Sequence, residues 1–259
     1  RVMADVSHLP GWWNRPIRSS IGLLPGGLPL GLQAGLHPVL LRATHNTRLP
    51  HGENNQAAWY GKGVNPEWMG GVWLSFDYLT ISIQPHVVWQ QNKDFLYPRF
   101  VFTDSKGGIR YVAEGIGNVI DAPFRFGPDP WWTFDWGYSS VRVHYDKLEA
   151  GVSSEPLWWG PAVRYALMMS NNAPGIPHAF LGTREPVRLP WVGHLHFRWI
   201  FGYPEESGYF DHRFAGRERF INSVNIAWTP SIVPDLTLGL TRTYHQFERD
   251  GFDWDNVTA

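Results

Sequence analysis

Cysteine is absent from this 259-residue chain, so it has neither a disulfide framework nor a zinc-thiolate site. A chain without thiols also passes through an oxidising periplasm with nothing to mispair. Charge is scarce: 17% of the residues are charged, against roughly 25% in an average soluble domain. The formal net charge of -1 argues against a nucleic-acid partner. Lysine, the usual solubilising cation, occurs only at Lys62, Lys93, Lys106 and Lys147. Long apolar runs are missing too. The one extended uncharged stretch, Ser19 to Leu41, carries Pro25, Pro29, Pro38 and five glycines, which rules out a spanning helix there. The chain opens on Arg1 rather than Met, and its start says nothing about export.

Helix breakers and aromatic rings are abundant. The 27 glycines and 21 prolines are too dense for a helical bundle or a doubly wound α/β fold, which leaves an all-β architecture. The 15 tryptophans call for surroundings that use an apolar ring with a polar edge, as glycan-binding surfaces and membrane-interface belts do.

Wherever the chain is regular, it alternates with period two. Trp191, Gly193, Leu195, Phe197, Trp199 and Phe201 fall on one face; Val192, His194, His196, Arg198 and Ile200 fall on the other. Phe220, Val224, Ile226 and Trp228 share a face, and Leu236, Leu238 and Leu240 alternate with Thr237, Gly239 and Thr241. Shorter signals cover Gly70 to Tyr78, Thr80 to Gln90, Gly137 to Tyr145, Lys147 to Ser153 and Val163 to Met169, with a weaker one from Gly35 to Ala43. Such alternation suits a soluble sandwich as well as a transmembrane barrel. The connections separate the two. Short turns near Leu79, near Asp146 and through Thr229 to Asp235 fall at one end. Long polar segments at 44–68, 91–136, 154–162 and 202–217 fall at the other, which is the layout of an outer-membrane barrel. Segment 170–190 breaks this rule, either folding into the lumen or hiding a strand. The expectation is an all-β antiparallel transmembrane β-barrel, a single incomplete domain over 1–259 with about nine strands of a larger barrel.

Three motif blocks carry a family resemblance. The first is His51-Gly52-Glu53-Asn54-Asn55-Gln56-Ala57-Ala58-Trp59-Tyr60-Gly61-Lys62-Gly63, followed by Gly70-Gly71; the second is Ile120-Asp121-Ala122-Pro123-Phe124-Arg125-Phe126-Gly127. The third and most specific is Trp158-Trp159-Gly160-Pro161, then Ser170-Asn171-Asn172-Ala173-Pro174-Gly175 and Gly182-Thr183-Arg184-Glu185-Pro186. Across roughly residues 50 to 210 the chain resembles the Wzi family of capsule-assembly outer-membrane proteins. The resemblance implies a barrel of about 18 strands that helps retain or organise capsular polysaccharide as a lectin does.

Individual residues allow two readings each. The Trp158 and Trp159 rings match the apolar faces of pyranoses, yet serve equally as girdle residues or as wedges against the wall. Asn171, Asn172 and His178 offer neutral groups for reading hydroxyls, while Asn-Asn-Ala-Pro-Gly is also strong turn chemistry. His194, His196 and Arg198 face the same way, and without a third ligand at recognisable spacing they read as lumen lining that contacts polysaccharide rather than as a metal site. Leu195, Phe197, Val224, Ile226, Leu238 and Leu240 are expected to face lipid. Arg142, His144, Glu149, His194, His196 and Arg198 are expected inside, with Arg142 and Glu149 paired. No nucleophile elbow, phosphate loop or His-Glu-x-x-His occurs. The expected function is therefore a non-enzymatic outer-membrane barrel whose partners are surface polysaccharide and lipid, with no metal and no cofactor. The alternative is a soluble all-β carbohydrate-active enzyme of the periplasm or exterior.

Overall fold

The structure, a computed structural model, describes residues 21–22, 32–96, 99–103, 109–114, 127–162, 165–204 and 219–247. Among these residues there is no helix. The chain runs β1 (Ile21–Gly22), β2 (Gln33–Asn46), β3 (Gly63–Ser75), β4 (Leu79–Ile83), β5 (His86–Gln90), β6 (Arg99–Thr103), β7 (Ile109–Glu114) and β8 (Trp131–Asp135). It continues through β9 (Ser140–Tyr145), β10 (Leu148–Ser153), β11 (His178–Thr183), β12 (Val187–Leu189), β13 (Gly193–Gly202), β14 (Arg219–Pro230) and β15 (Leu238–Phe247). All but the β6–β7 hairpin form one 13-stranded sheet.

The sheet is an up-and-down meander in which three long strands are broken once each. β4 continues into β5, and these pair with β9 and β8, the two halves of the next strand. β12 extends β11 alongside β13. Pro85 causes the first break, because it has no N–H to give to the ladder. Local bonds patch the gap: the Gln84 amide donates to Ser139 Oγ at 2.9 Å, and the Tyr138 amide donates to the Gln84 carbonyl at 3.1 Å. β1 and β15 lie at the two ends of the strand order and no ladder joins them, so the described sheet is open.

The alternation expected from sequence is present, and its sense is inverted relative to a soluble sheet. Along β4 and β5, Ser82, Gln84, His86, Val88 and Gln90 are buried while Ile83 is exposed. Across β9, β10 and β13 the buried set is Ser140, Arg142, Glu149, Ser153, His196 and Arg198, with Ile200 as its apolar member. The opposite face shows solvent Val72, Leu74, Phe134 (59% exposed), Val141, Val143, Val152 and Leu181. The expected apolar set shares that face: Phe197 stands opposite Ile226, and Ile226 opposite Leu240, while Leu195 and Leu238 both flank Trp228. In β2 a register shift between His37 and Leu40 keeps Arg42 opposite Glu67 on the polar face.

Several expected boundaries change. Val163 to Met169 was expected as a strand, but its described part, residues 165–169, is loop whose one ladder contact is a bridge from Met168 to Trp159. Segment 170–190 contains β11, which pairs with both β10 and β13. The expected loop 44–68 narrows to 47–62, because β2 and β3 both run further than their weak alternation suggests. The expected loop 91–136 holds the β6–β7 hairpin and ends at β8, and loop 154–162 lengthens to 154–177. Most of loop 202–217, the block at 120–126 and residues 163–164 lie outside the described residues. With β11 in place, the long connections 47–62, 91–130 and 154–177 leave one end of the sheet. The shorter links 76–78, 146–147, 184–192 and 231–237 leave the other.

Close strand contacts depend on glycine. A Cβ on Gly71 would sit 1.8 Å from the Ile83 carbonyl oxygen, and one on Gly151 would sit 2.1 Å from that of Val141. Gly71→Val should therefore lower unfolding stability by about 1–3 kcal/mol through overpacking. Gly61→Ala, whose Cβ would meet nothing nearer than 3.6 Å, should be near neutral in the same thermal-unfolding measurement. Equal midpoints for the two variants would contradict this register.

Candidate functional site

Two carboxylates organise the polar face. Glu67 of β3 is buried and takes donors from three directions: Arg42 of β2, the Tyr60 hydroxyl at 2.7 Å from loop 47–62, and His86 Nε2 of β5 at 2.8 Å. Burial, followed by the Glu67 carboxylate, raises the Tyr60 phenol above its ordinary range, so the hydroxyl stays a donor. Glu149 of β10 accepts from Arg198 Nη1 at 2.5 Å and from Arg142 Nη1 at 3.4 Å, and Arg142 also binds Glu155. Both guanidinium groups lie over the Phe180 ring, Arg198 at 3.8 Å and Arg142 at 5.2 Å from its centroid. The expected Arg142–Glu149 pair is present as part of this wider cluster.

Two loops fold over the polar face and meet. Loop 154–177 inserts Trp159, 1% exposed, against Phe180 and Ile200. Loop 47–62 packs Ala58 and Tyr60 against Val88. Where they touch, the Gln56 amide donates to the Asn171 carbonyl at 2.8 Å, and the Asn54 amide donates to Asn172 Oδ1 at 3.0 Å. Asn54, Gln56, Tyr60 and Met169 all have φ between 51° and 54°, the left-handed region that costs a side-chain-bearing residue energy unless its surroundings hold it.

Beneath this junction lies a cavity of about 260 Å³. Its walls come from β2 (Pro38, Leu40, Arg42), β3 (Glu67, Met69) and β5 (His86), and its roof from Gln56 and Asn171. Gln56 Nε2 donates to the Tyr138 hydroxyl at 2.7 Å, and Asn171 makes a side-chain hydrogen bond to the same group. Among the described residues, Gln56 Oε1, Asn171 Oδ1 and His86 Nδ1 are buried with no hydrogen-bond partner.

The structure distributes the sequence candidates unevenly. Asn171 lines the cavity, while Asn172 uses its side-chain oxygen to hold loop 47–62. Trp159 is a wedge under its loop, and Trp158 Nε1 donates to the Ala162 carbonyl at 2.7 Å. The two blocks belong to one loop, so the tryptophans and asparagines share an end of the sheet. Arg198 and His196 are buried in internal pairs, His196 Nδ1 lying 2.6 Å from Thr183 Oγ1, and His194 is exposed. Sequence reading missed Arg42, Glu67, His86 and Tyr138, which lie 19 to 96 positions apart and follow no known spacing. Gln56 lies inside the first motif block, where the sequence ties it to the family and to no site. No group of three metal-ligating side chains occurs among the described residues.

A family model described as capsule assembly protein Wzi matches residues 34–246, a span that contains both clusters and the cavity. No curated protein and no solved structure matches the chain.

The placement of Trp159 predicts a stability effect. Trp159→Ala should cost about 3–5 kcal/mol by emptying a packed site. Trp158→Ala, half-buried with one hydrogen bond, should cost about 1 kcal/mol. Denaturant titration of both variants checks the order, and a larger loss at Trp158 would reverse the assignment.

Proposed function

The chain belongs to the capsule assembly protein Wzi family, and from that premise we propose that it is an outer-membrane β-barrel protein that binds or organises surface polysaccharide without catalysing a reaction. The observation that carries the membrane reading is the inverted burial: arginine, glutamate and histidine are folded inward while valine, leucine, phenylalanine and tryptophan face out. A water-exposed sheet would give up the hydrophobic stabilisation of that whole face, whereas lipid satisfies it. The exposed apolar side chains along successive strands and the separation of long loops from short turns match a strand-spanning protein. Among the described residues no helix is long and apolar enough to cross a membrane, which leaves strands as the way across. On this reading the open sheet is part of a barrel.

The polysaccharide reading rests on the family and on the loop end of the sheet, where a polar cavity lies beneath two interlocked loops. Catalysis is disfavoured by the state of the carboxylates. Glu67, Glu149 and Glu155 are each engaged by arginine, whereas a glycosidase needs a pair of carboxyl groups open to the scissile bond.

The test uses the full-length gene in its own cell. The protein should fractionate with outer membranes and migrate differently on gels before and after heating. Deleting the gene should release surface polysaccharide into the medium, and restoring it should return the polymer to the cell. Phe197→Arg should destabilise the folded form by about 2–4 kcal/mol if the site is near the midplane. Recovery in the soluble fraction, or unchanged polymer retention in the deletion strain, would defeat this function.

A further inference from the structure

The geometry points to a ligand class for the cavity under the two loops: we propose that it takes one neutral, hydroxyl-bearing pyranose ring of a surface polysaccharide. The inference rests on the polysaccharide reading above and adds the site and the chemistry of the unit it reads.

Size comes first. About 260 Å³ falls below the roughly 300–1,000 Å³ of pockets for drug-sized ligands, so the space suits a single ring rather than a chain of them. Polarity is divided as a sugar's is. Pro38, Leu40 and Met69 give the cavity apolar wall for ring C–H groups, and Gln56, Asn171 and His86 supply polar groups. On each of those three residues one buried polar atom lacks a partner among the described residues, and His86 is itself 1% exposed. Burying a polar atom without a partner is costly, so a ligand whose hydroxyls meet these atoms is favoured over one that cannot.

Two of the three atoms are acceptors. Gln56 and Asn171 present amide oxygens, and His86, with Nε2 turned to Glu67, adds a buried ring nitrogen, Nδ1, that a hydroxyl can also meet. Acceptors call for donors, which sugar hydroxyls are. A uronate carboxylate brings further acceptors and negative charge toward Glu67, whose own charge is already matched by Arg42. Among the described lining residues Arg42 is the one permanent cation, and Glu67 already engages it.

The experiment uses the full-length protein in detergent, with folding checked by heat-modifiable migration. Probes are the methyl α-glycosides of glucose, galactose and mannose, then glucuronic acid, glucosamine, and the purified surface polysaccharide of the producing cell. Saturation-transfer NMR and competition against the polymer read binding. At least one neutral glycoside should bind and compete. Leu40→Trp should abolish that binding, and Gln56→Leu and Asn171→Leu should each weaken it about tenfold, the loss of one hydrogen bond. Trp158→Ala should leave it unchanged. Gln56→Glu keeps the shape of the side chain, guards against variants that fail to fold, and should move preference toward glucosamine. The proposal is overturned if the polymer binds but no neutral glycoside does, if glucuronate or glucosamine is preferred by the parent, or if Gln56→Glu shifts nothing. In those cases polysaccharide binding itself stands. Failure of the polymer to bind the parent removes both.

Discussion

Burying ionised groups on one face of a single sheet is the constraint on which the rest of this protein depends. A charge taken out of water is tolerated when it is paired and hydrogen-bonded, and the two carboxylate centres meet that requirement in the same way. Glu67 draws β2, β5 and loop 47–62 onto β3 through three donors. Glu149 ties β9 and β13 to β10 through two arginines, and Phe180 from β11 provides the surface on which both guanidinium groups lie. Strand order, loop position and the cavity follow from where these groups must sit.

The loops act as a second layer. A sheet with an apolar outer face has no partner sheet, so the polar face is covered by chain from the loop end. Trp159 and Tyr60 are the two large rings that fix this cover, one per loop, each beside a carboxylate-centred cluster. The loops then hold each other through backbone amides of Asn54 and Gln56 and, at the exposed side, through the Tyr165 hydroxyl on the Glu53 carboxylate. Residues held at positive φ gather at this junction, which is where backbone strain accompanies a binding site most often.

Such an arrangement separates support from recognition. Arg198 and His196 look like ligand-contacting groups in sequence, yet both are buried, with Arg198 Nη1 on Glu149 and His196 Nδ1 on Thr183. Asn171 and Gln56 each place an amide nitrogen on Tyr138 and keep an oxygen in reserve. In the proposed barrel the charged clusters build the wall and the neutral amides face the ligand.

Sequence by itself determined the all-β class, the antiparallel pairing and the side of each strand, because a period of two records which neighbours every side chain meets. It also determined the family, through blocks of turn-forming residues and the tryptophan pair. It misplaced one strand: Val163 to Met169 alternates weakly and was preferred to His178–Thr183, whose Gly182 and short length hide the pattern. That exchange moved the asparagines to the same end as the tryptophans. Only the tertiary structure decided the site, since Arg42, Glu67, His86 and Tyr138 come together through sheet register, and Gln56 and Asn171 through the meeting of two loops. Alternation reports on a strand and its immediate neighbours. A site assembled across loops depends on distances between segments, and local periodicity carries no record of those.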